Sequence, residues 1–494
     1  MSSLDGQRVV LTQSFLYQFG GSEVMTLEIA HELARQGAEV VVVVHGHSEE
    51  MARDLTAVPG IRLIRTSDPA LEGVLAEAPV DIAWIHHQLI PERLLRERAG
   101  TRFVFNHMSS FHPLEFAWAH RIEAALAGAV LFPAPEARVA QVETGLLAGV
   151  DPAYLQVLGN PSPDAFAANG RGPAAELGRL LVVSNHIPPE LAEALPSLRE
   201  RWDVTVVGQQ AELGAVRRRV TPDLVHEQDA VVTIGKTVQY SLAAGVPVFC
   251  YDHFGGPGWL DGSNVALAAE HNFSGRGFSA RSGPTELVDE ITAGYATARA
   301  GVGALASYAP LLGDRLREVL ATVGEPSAVP LDEADITAHV AVQSSLGIFM
   351  VMSSELEEAR RWYADNTAEL EDARVALTTR VTALEERSTG LESAVAQALG
   401  REEELAATYR EARWWVEKHE QDAAALREAL ATSEEQTEAA ASVVRALTAE
   451  LEAARAEAAG LVDRLAESED SRRDLERSRL YRYTKHSRRT GRRQ

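Results

Sequence analysis

Short continuous apolar runs recur along the first 260 residues, and the stretches between them carry apolar residues at helical spacing. The runs at 8–11, 40–44, 61–64, 82–85, 103–105 and 129–132 have the length of buried strands, and apart from Arg8 and Arg62 they are apolar throughout. Between the first two, residues 23–36 repeat Val24, Leu27, Ala30, Leu33 and Ala34 along one side of a helix, and Gly37 stops it. Strand, helix, strand in that order reads as a parallel sheet with both faces covered. The pattern restarts after a run of helix breakers at 160–173, with strands at 180–183, 204–207, 230–234 and 247–251. A short helix at 190–195 is limited by Pro196, and a second at 237–244 carries Val238 and Leu242 and is capped by Gly245. The expectation is two doubly wound α/β domains, 1–165 and 166–330, facing each other across a cleft. A connector at 331–352 follows.

From about residue 353 the texture changes to glutamate, alanine, arginine and leucine without proline. Leu370, Leu377, Leu384 and Leu391 are spaced by sevens, and Leu426, Leu447, Leu461 and Leu475 keep one such phase. Residues 353–479 therefore read as a long α-helical coiled coil, with a homo-oligomer as the default and an antiparallel hairpin or single long helix as alternatives. The last fifteen residues, 480–494, hold Arg482, Lys485, Arg488, Arg489, Arg492 and Arg493 and no acid. Such a patch suits an anionic membrane surface, or is simply solvated.

Charge and cysteine usage narrow the classes. A formal charge of −24 argues against nucleic-acid binding by the chain as a whole. One cysteine, Cys250, in a 494-residue chain leaves no disulfide framework or cysteine metal cluster, which fits a reducing cytoplasm. The start lacks the regions of a signal peptide. The longest suspicious apolar run, 346–352, falls well short of the ~18 residues that a membrane span needs.

The candidate chemistry gathers at the carboxyl ends of the expected strands, where open α/β sheets bind ligands. Gly20 and Gly21 form one strand-to-helix turn. Asn185 and His186 follow the strand at 180–183, and Gly208 and Gln209 follow that at 204–207. At Gly235, Lys236 and Thr237, helix-start amides, a hydroxyl and an ammonium converge as a diphosphate requires, with Gln239 one turn on. A glycine-rich loop then carries Gly255 and Gly256. A P-loop needs a glycine where Ala230 stands, so a nucleoside-triphosphatase is set aside. The same glycines serve a plain turn, and Lys236 a solvated surface. His86, His87, His107 and His112 lie at or beyond strand ends, but no His-Glu-x-x-His or comparable metal-ligand spacing accompanies them.

Phe19-Gly20-Gly21-Ser22-Glu23, with Arg35-Gln36-Gly37-Ala38-Glu39-Val40 after its helix, resembles the opening of the retaining GT-B glycosyltransferases. Asp81-Ile82 with His86, Val104-Phe105-Asn106-His107, and Gln156 to Pro161 are similar to later steps of that group. The resemblance implies two Rossmann-like domains of the GT-B plan, a nucleotide-sugar donor, no metal or other cofactor, and His107 as the active-site histidine. It departs at one point: aligned on Ala243-Ala244-Gly245, the group's two glutamates fall on Val232 and Tyr240, and their roles are lost or have moved to Lys236, Thr237, Gln239 or Asp252. A variant among bacterial polysaccharide glycosyltransferases is similar, including the loop around Arg276. The expected function is a cytoplasmic transferase, peripheral at the inner membrane face, acting on a cell-surface glycan or lipid-linked acceptor. An inactive scaffold and a nucleotide-sugar epimerase of the same plan are the competing readings.

Overall fold

The computed structural model describes residues 4–365 except 168–169, 171, 279 and 327–330, and beyond them only 382–383, 389, 413–422 and 424. The chain divides into two units, Met1–Glu357 and Glu358–Gln494. The expected coiled coil falls largely, and the basic tail wholly, outside the described residues; within the second unit, residues 413–422 are helical.

The first unit holds two sheets. The first contains β1 (Arg8–Leu16), β2 (Glu39–His47), β3 (Ile61–Arg65), β4 (Ile82–His86), β5 (Arg102–Asn106), β6 (Ala127–Phe132) and β7 (Leu155–Val157). All are parallel, in the order β3-β2-β1-β4-β5-β6-β7. The second contains β8 (Arg179–Val183), β9 (Asp203–Val207), β10 (Ala230–Thr233), β11 (Val248–Asp252) and β12 (Gly255–Trp259). Its order is β12-β11-β10-β8-β9, parallel except for β12. These are the two doubly wound sheets that the apolar runs predict.

Alternate residues of each run serve opposite faces, which is why the runs show no polar period. Val9, Leu11, Val40, Val42 and Val44 pack beneath Leu27, Ala30 and Leu33 of the helix Gly21–Arg35. Val10, Val41, Val43, Ala83 and Ile85 fill the other face.

Three local expectations change. β1 and β2 run to nine residues each, because Thr12, Gln13 and Ser14 are buried polar positions that a hydropathy reading stops at. Pro196 does not end its helix, which spans Pro189–Arg201. Leu191, Ala194, Leu195 and Leu198 are buried along one stripe on both sides of the proline, and that burial outweighs the roughly 3 kcal/mol of a helix-interior proline. Gly255 to Trp259, read as a loop, is the antiparallel edge strand β12.

The chain crosses between sheets twice, side by side. Ser162 N donates to the Pro310 carbonyl at 2.9 Å and Leu312 N to the Ser162 carbonyl at 2.8 Å. After the second crossing, the helix Leu312–Thr322 buries Leu312, Leu316, Val319 and Leu320 in the first lobe's core. The helix Glu333–Asp365 follows. Its part Glu333–Ser353, with a mean hydropathy of 1.4, is long and apolar enough to cross a membrane by length and composition. It contains no long uninterrupted apolar run, because isolated polar residues such as Gln343 and Ser344 break the run without lowering the average much.

Candidate functional site

Strand order reverses between β1 and β4 in one sheet and between β8 and β10 in the other, and the turns after β1, β8 and β10 face one cavity of about 390 Å³. The first lobe contributes Gln18 to Ser22, Val24 and Met108. The second contributes Ser184 to His186, Gly208, Gln209, Arg217, Arg218, Gly235 to Thr237, Tyr240, Asp252 and His253. Of the residues singled out from sequence, Gly20, Gly21, Asn185, His186, Gly208, Gln209, Gly235, Lys236 and Thr237 line it. His107, Gln239, Gly255 and Gly256 do not.

Two helix starts meet at this cavity, that of Gly21–Arg35 from one lobe and that of Lys236–Ala243 from the other. Their first N–H groups have no intrahelical acceptor and carry the positive end of the helix dipole. Each start is held in shape. Glu23, buried in its own first turn, accepts from Tyr17 N (2.9 Å), Gln18 N (3.0 Å) and Gly20 N (3.1 Å), which fixes the glycine turn. Burial pushes its carboxyl up to about 7 against the pull of those amides. On the other side Gly235 has φ of +62°, a region that a side chain would strain, and its N–H donates to the Phe273 carbonyl at 2.8 Å. Asn272 and Phe273 themselves sit at φ of +56° and +52°, so the turn that anchors Gly235 stores backbone strain.

Lys236 does not present a free ammonium to the cavity. Its Nζ lies 2.9 Å from Glu28 Oε2, on the first lobe's helix, and donates to the Pro161 carbonyl at 3.0 Å. The Tyr240 hydroxyl donates to the other Glu28 oxygen, and Arg219 approaches that oxygen at 3.7 Å. Lys236, Glu28 and Tyr240 are all buried. Burial lowers the lysine pKa and raises that of the tyrosine, with Glu28 pulling the lysine back up. A carboxylate thus does reach position 240, but from the opposite lobe and beneath the cavity wall. Val232, the other position aligned with a glutamate, is an ordinary buried strand residue.

The cations that do face the cavity are Arg217 and Arg218. Both are exposed, and neither is paired with a carboxylate among the described residues. Arg217 donates across the cleft to the Tyr17 carbonyl at 3.1 Å, beside a second crossing bond from Gln209 Nε2 to Gln18 Oε1 at 2.8 Å. The sequence reading passed over them. The signal was present: three consecutive arginines, Arg217 to Arg219, in a strongly acidic chain just beyond the Gly208 turn. Asp252 closes the second-lobe side; its carboxylate accepts from Ser184 Oγ (3.1 Å) and His253 N (2.8 Å), and burial raises its pKa.

His107 lies buried behind Met108. Its Nε2 donates to Glu123 Oε1 at 2.8 Å and its Nδ1 to the Glu115 carbonyl at 2.5 Å. A carbonyl on one nitrogen and a carboxylate on the other favour the doubly protonated, cationic ring. Burial opposes that charge, but Glu123 and then Glu115 outweigh it and lift the pKa to about 8. The ring is held at both nitrogens and does not line the cavity. His86 is its opposite: Nε2 faces the Trp84 indole N–H (3.1 Å) and the Asn106 amide (3.0 Å), and burial lowers its pKa to about 3. Since the folded pKa of His107 exceeds the ordinary 6.5, its stabilising contribution is complete below pH 6.5 and is lost as pH rises through 8. The expected result is that the stability difference between the wild type and His107→Gln shrinks over that window by about 2 kcal/mol. Denaturant titrations at several pH values measure it, and a constant difference would remove the imidazolium assignment.

Gln239 is buried beneath the turn, with its side-chain oxygen unpartnered. Gly255 and Gly256 are glycines for packing. A Cβ at Gly255 would stand 2.2 Å from the Ala280 carbonyl oxygen, and one at Gly256 would stand 2.0 Å from that of Cys250 in the β11–β12 hairpin. Arg276 pairs with Glu136 of the first lobe (Nε to Oε1, 3.0 Å) and does not line the cavity. No group of three or more His, Cys, Asp or Glu side chains among the described residues is placed to hold a metal.

No protein-family model matches the chain, and no curated protein matches it. Solved structures similar to it include HepE of Anabaena in complex with UDP and glucose, at 15% identity over 64% of this chain and 99% of that one, with a TM-score of 0.41. A glycosyltransferase from Rickettsia africae matches at 15% identity over 64% and 98%, with a TM-score of 0.38. A putative UDP-N-acetylglucosamine 2-epimerase from Listeria monocytogenes matches at 12% over 66% and 99%, with a TM-score of 0.37. At these values the activity has to be argued from the site itself.

Proposed function

We propose that the protein is a glycosyltransferase that moves a sugar from a nucleoside-diphosphate donor to a hydroxyl of a glycan or lipid-linked acceptor. The observation that carries this reading is the meeting of two helix N-termini, one from each lobe, at a single cavity that also holds Arg217 and Arg218. A diphosphate is the ligand class that uses such a set, with main-chain amides on both sides and two guanidiniums whose planar donors match phosphate oxygens. Asp252, with Asn185 and His186 near it, supplies acceptors and donors for sugar and ribose hydroxyls on the second-lobe wall.

The chemistry follows from that cradle. The bond between the sugar C1 and the phosphate oxygen breaks with its electron pair going to the diphosphate, and the acceptor oxygen bonds to C1. The acceptor's proton passes to the departing phosphate. Negative charge grows on the leaving group, so fixed amides and arginines there stabilise the transition state more than the ground state. Retention of configuration is what the resemblance at Gly20 to Glu23 adds.

A binding-only head is the competing reading, favoured by Val232 and Tyr240 where carboxylates would stand. Purified protein incubated with a panel of nucleotide sugars should release free nucleoside diphosphate only when an acceptor glycan is also present. Binding without release under every acceptor condition would leave the binding reading standing, release without acceptor would favour a hydrolase, and conversion to an isomeric nucleotide sugar without release would favour an epimerase.

A further inference from the structure

The helix Glu333–Asp365 has two unlike faces. Its inner face is seated on the first lobe. Ile336 is buried, and His339 stacks on Trp118 at 5.2 Å between ring centroids. Gln343 donates to the Gln88 carbonyl at 2.7 Å and meets His45 Nε2 at 3.0 Å. Gly347 lies against the same imidazole, where a Cβ would come within 2.9 Å of Nδ1, and the Met350 carbonyl accepts from the Tyr17 hydroxyl at 3.3 Å. These contacts recur every three or four residues, so the helix is fixed in rotation as well as in place.

The outer face is bare. Val342, Ile348, Phe349, Met352 and Leu356 are 43%, 59%, 63%, 42% and 50% exposed. Five large apolar side chains on one stretch of helix are more than scattered surface hydrophobics. Val342, Phe349 and Leu356 are seven residues apart. Continued in sequence, the same step meets Tyr363, Leu370, Leu377, Leu384 and Leu391, then Leu405, Leu426, Leu447, Leu461 and Leu475, with alanine at most positions between and no insertion to shift the phase. No proline follows Pro330.

We propose that this outer stripe pairs with the same stripe of a second copy of the chain, as the beginning of a parallel two-stranded seam that starts on the head itself. The period carries the argument. A straight α-helix drifts by about 20° for every seven residues, so nineteen steps from 342 to 475 would turn the stripe through about 380°. A seven-residue spacing of apolar positions keeps one face of a helix only if it supercoils about a partner with the same spacing. A two-fold pairing sets each stripe residue against its own counterpart, so one apolar stripe is complementary to itself. A lipid surface is the less favoured occupant. Glu355, Glu357 and Glu358 flank the stripe in sequence where an anionic membrane would select lysine or arginine, and spanning would strip Gln343 and His339 from their partners. The pairing does not rest on the transferase reading.

Sedimentation velocity of the full-length protein at micromolar concentration should give a dimer, and Phe349→Glu with Leu356→Glu should raise its dissociation constant at least tenfold while the head melts at an unchanged temperature. A separate variant, Phe349→Cys, keeps an apolar-sized side chain and should form a disulfide-linked dimer under mild oxidation; native Cys250 is buried and does not compete. A wild-type monomer, a dimer whose dissociation constant is unchanged by both glutamates, or the absence of cross-linking in the cysteine variant would each overturn the proposal. So would a wild-type monomer that binds vesicles of phosphatidylcholine and phosphatidylserine and loses them with Phe349→Glu, which would assign the stripe to lipid.

Discussion

Replacing Arg217 and Arg218 together with alanine is expected to weaken nucleoside-diphosphate binding about a hundredfold and leave the fold intact. Both side chains are exposed at the cavity, and among the described residues their one bond across the cleft is that from Arg217 to the Tyr17 carbonyl. Hydrogen bonds to a charged partner are worth about 1.5–3 kcal/mol each, and losing two at the low end gives about 3 kcal/mol, or two orders of magnitude in Kd. Exposed substitutions of this kind shift stability by about 0.5 kcal/mol or less. Titration calorimetry with a nucleoside diphosphate at two salt concentrations reads the effect, because loss of two cations should also flatten the salt dependence. An unaltered Kd would take the arginines out of the site and with them the diphosphate cradle as drawn.

Lys236→Met is expected to do the reverse. The ammonium is the closest positive charge to Glu28, and both are buried where the two lobes meet. Removing one partner of such a pair leaves a desolvated charge and costs about 3–5 kcal/mol. The Tyr240 hydroxyl and Arg219 still reach Glu28, so the lower end of that range applies. Melting should drop by several degrees, while affinity for a nucleoside diphosphate changes little once the protein is folded. The double variant Glu28→Gln with Lys236→Met should recover much of the loss, since no charge is then stranded. A large fall in affinity at an unchanged melting temperature would restore the phosphate-binding role that the Gly-Lys-Thr pattern suggested.

These two arginines and this lysine mark where sequence reasoning succeeds and fails. Gly20, Gly21, Gly208 and Gly235 could be read because a strand that ends in glycine before a helix is a local event, and a parallel sheet sends all such turns to one edge. Pro196 and the Gly255 strand were misread because propensity yields to burial and to hairpin packing that the neighbouring residues do not announce. His107 matched a motif, yet its role is set by Glu123 and Glu115, which reach it from loops and helices with no motif of their own.

Period and turn chemistry, which act over a few residues, determined from sequence alone that the chain makes two doubly wound lobes with glycine turns at facing edges. They also carry a seven-residue phase that a second helix can read. The tertiary structure decided which cation faces the ligand and which is consumed as a strut. Glu28 and Lys236 lie about two hundred residues apart, and only the closing of one lobe on the other brings them to 2.9 Å with both side chains buried. Charge in a folded chain is assigned by burial, and burial is a property of the whole fold.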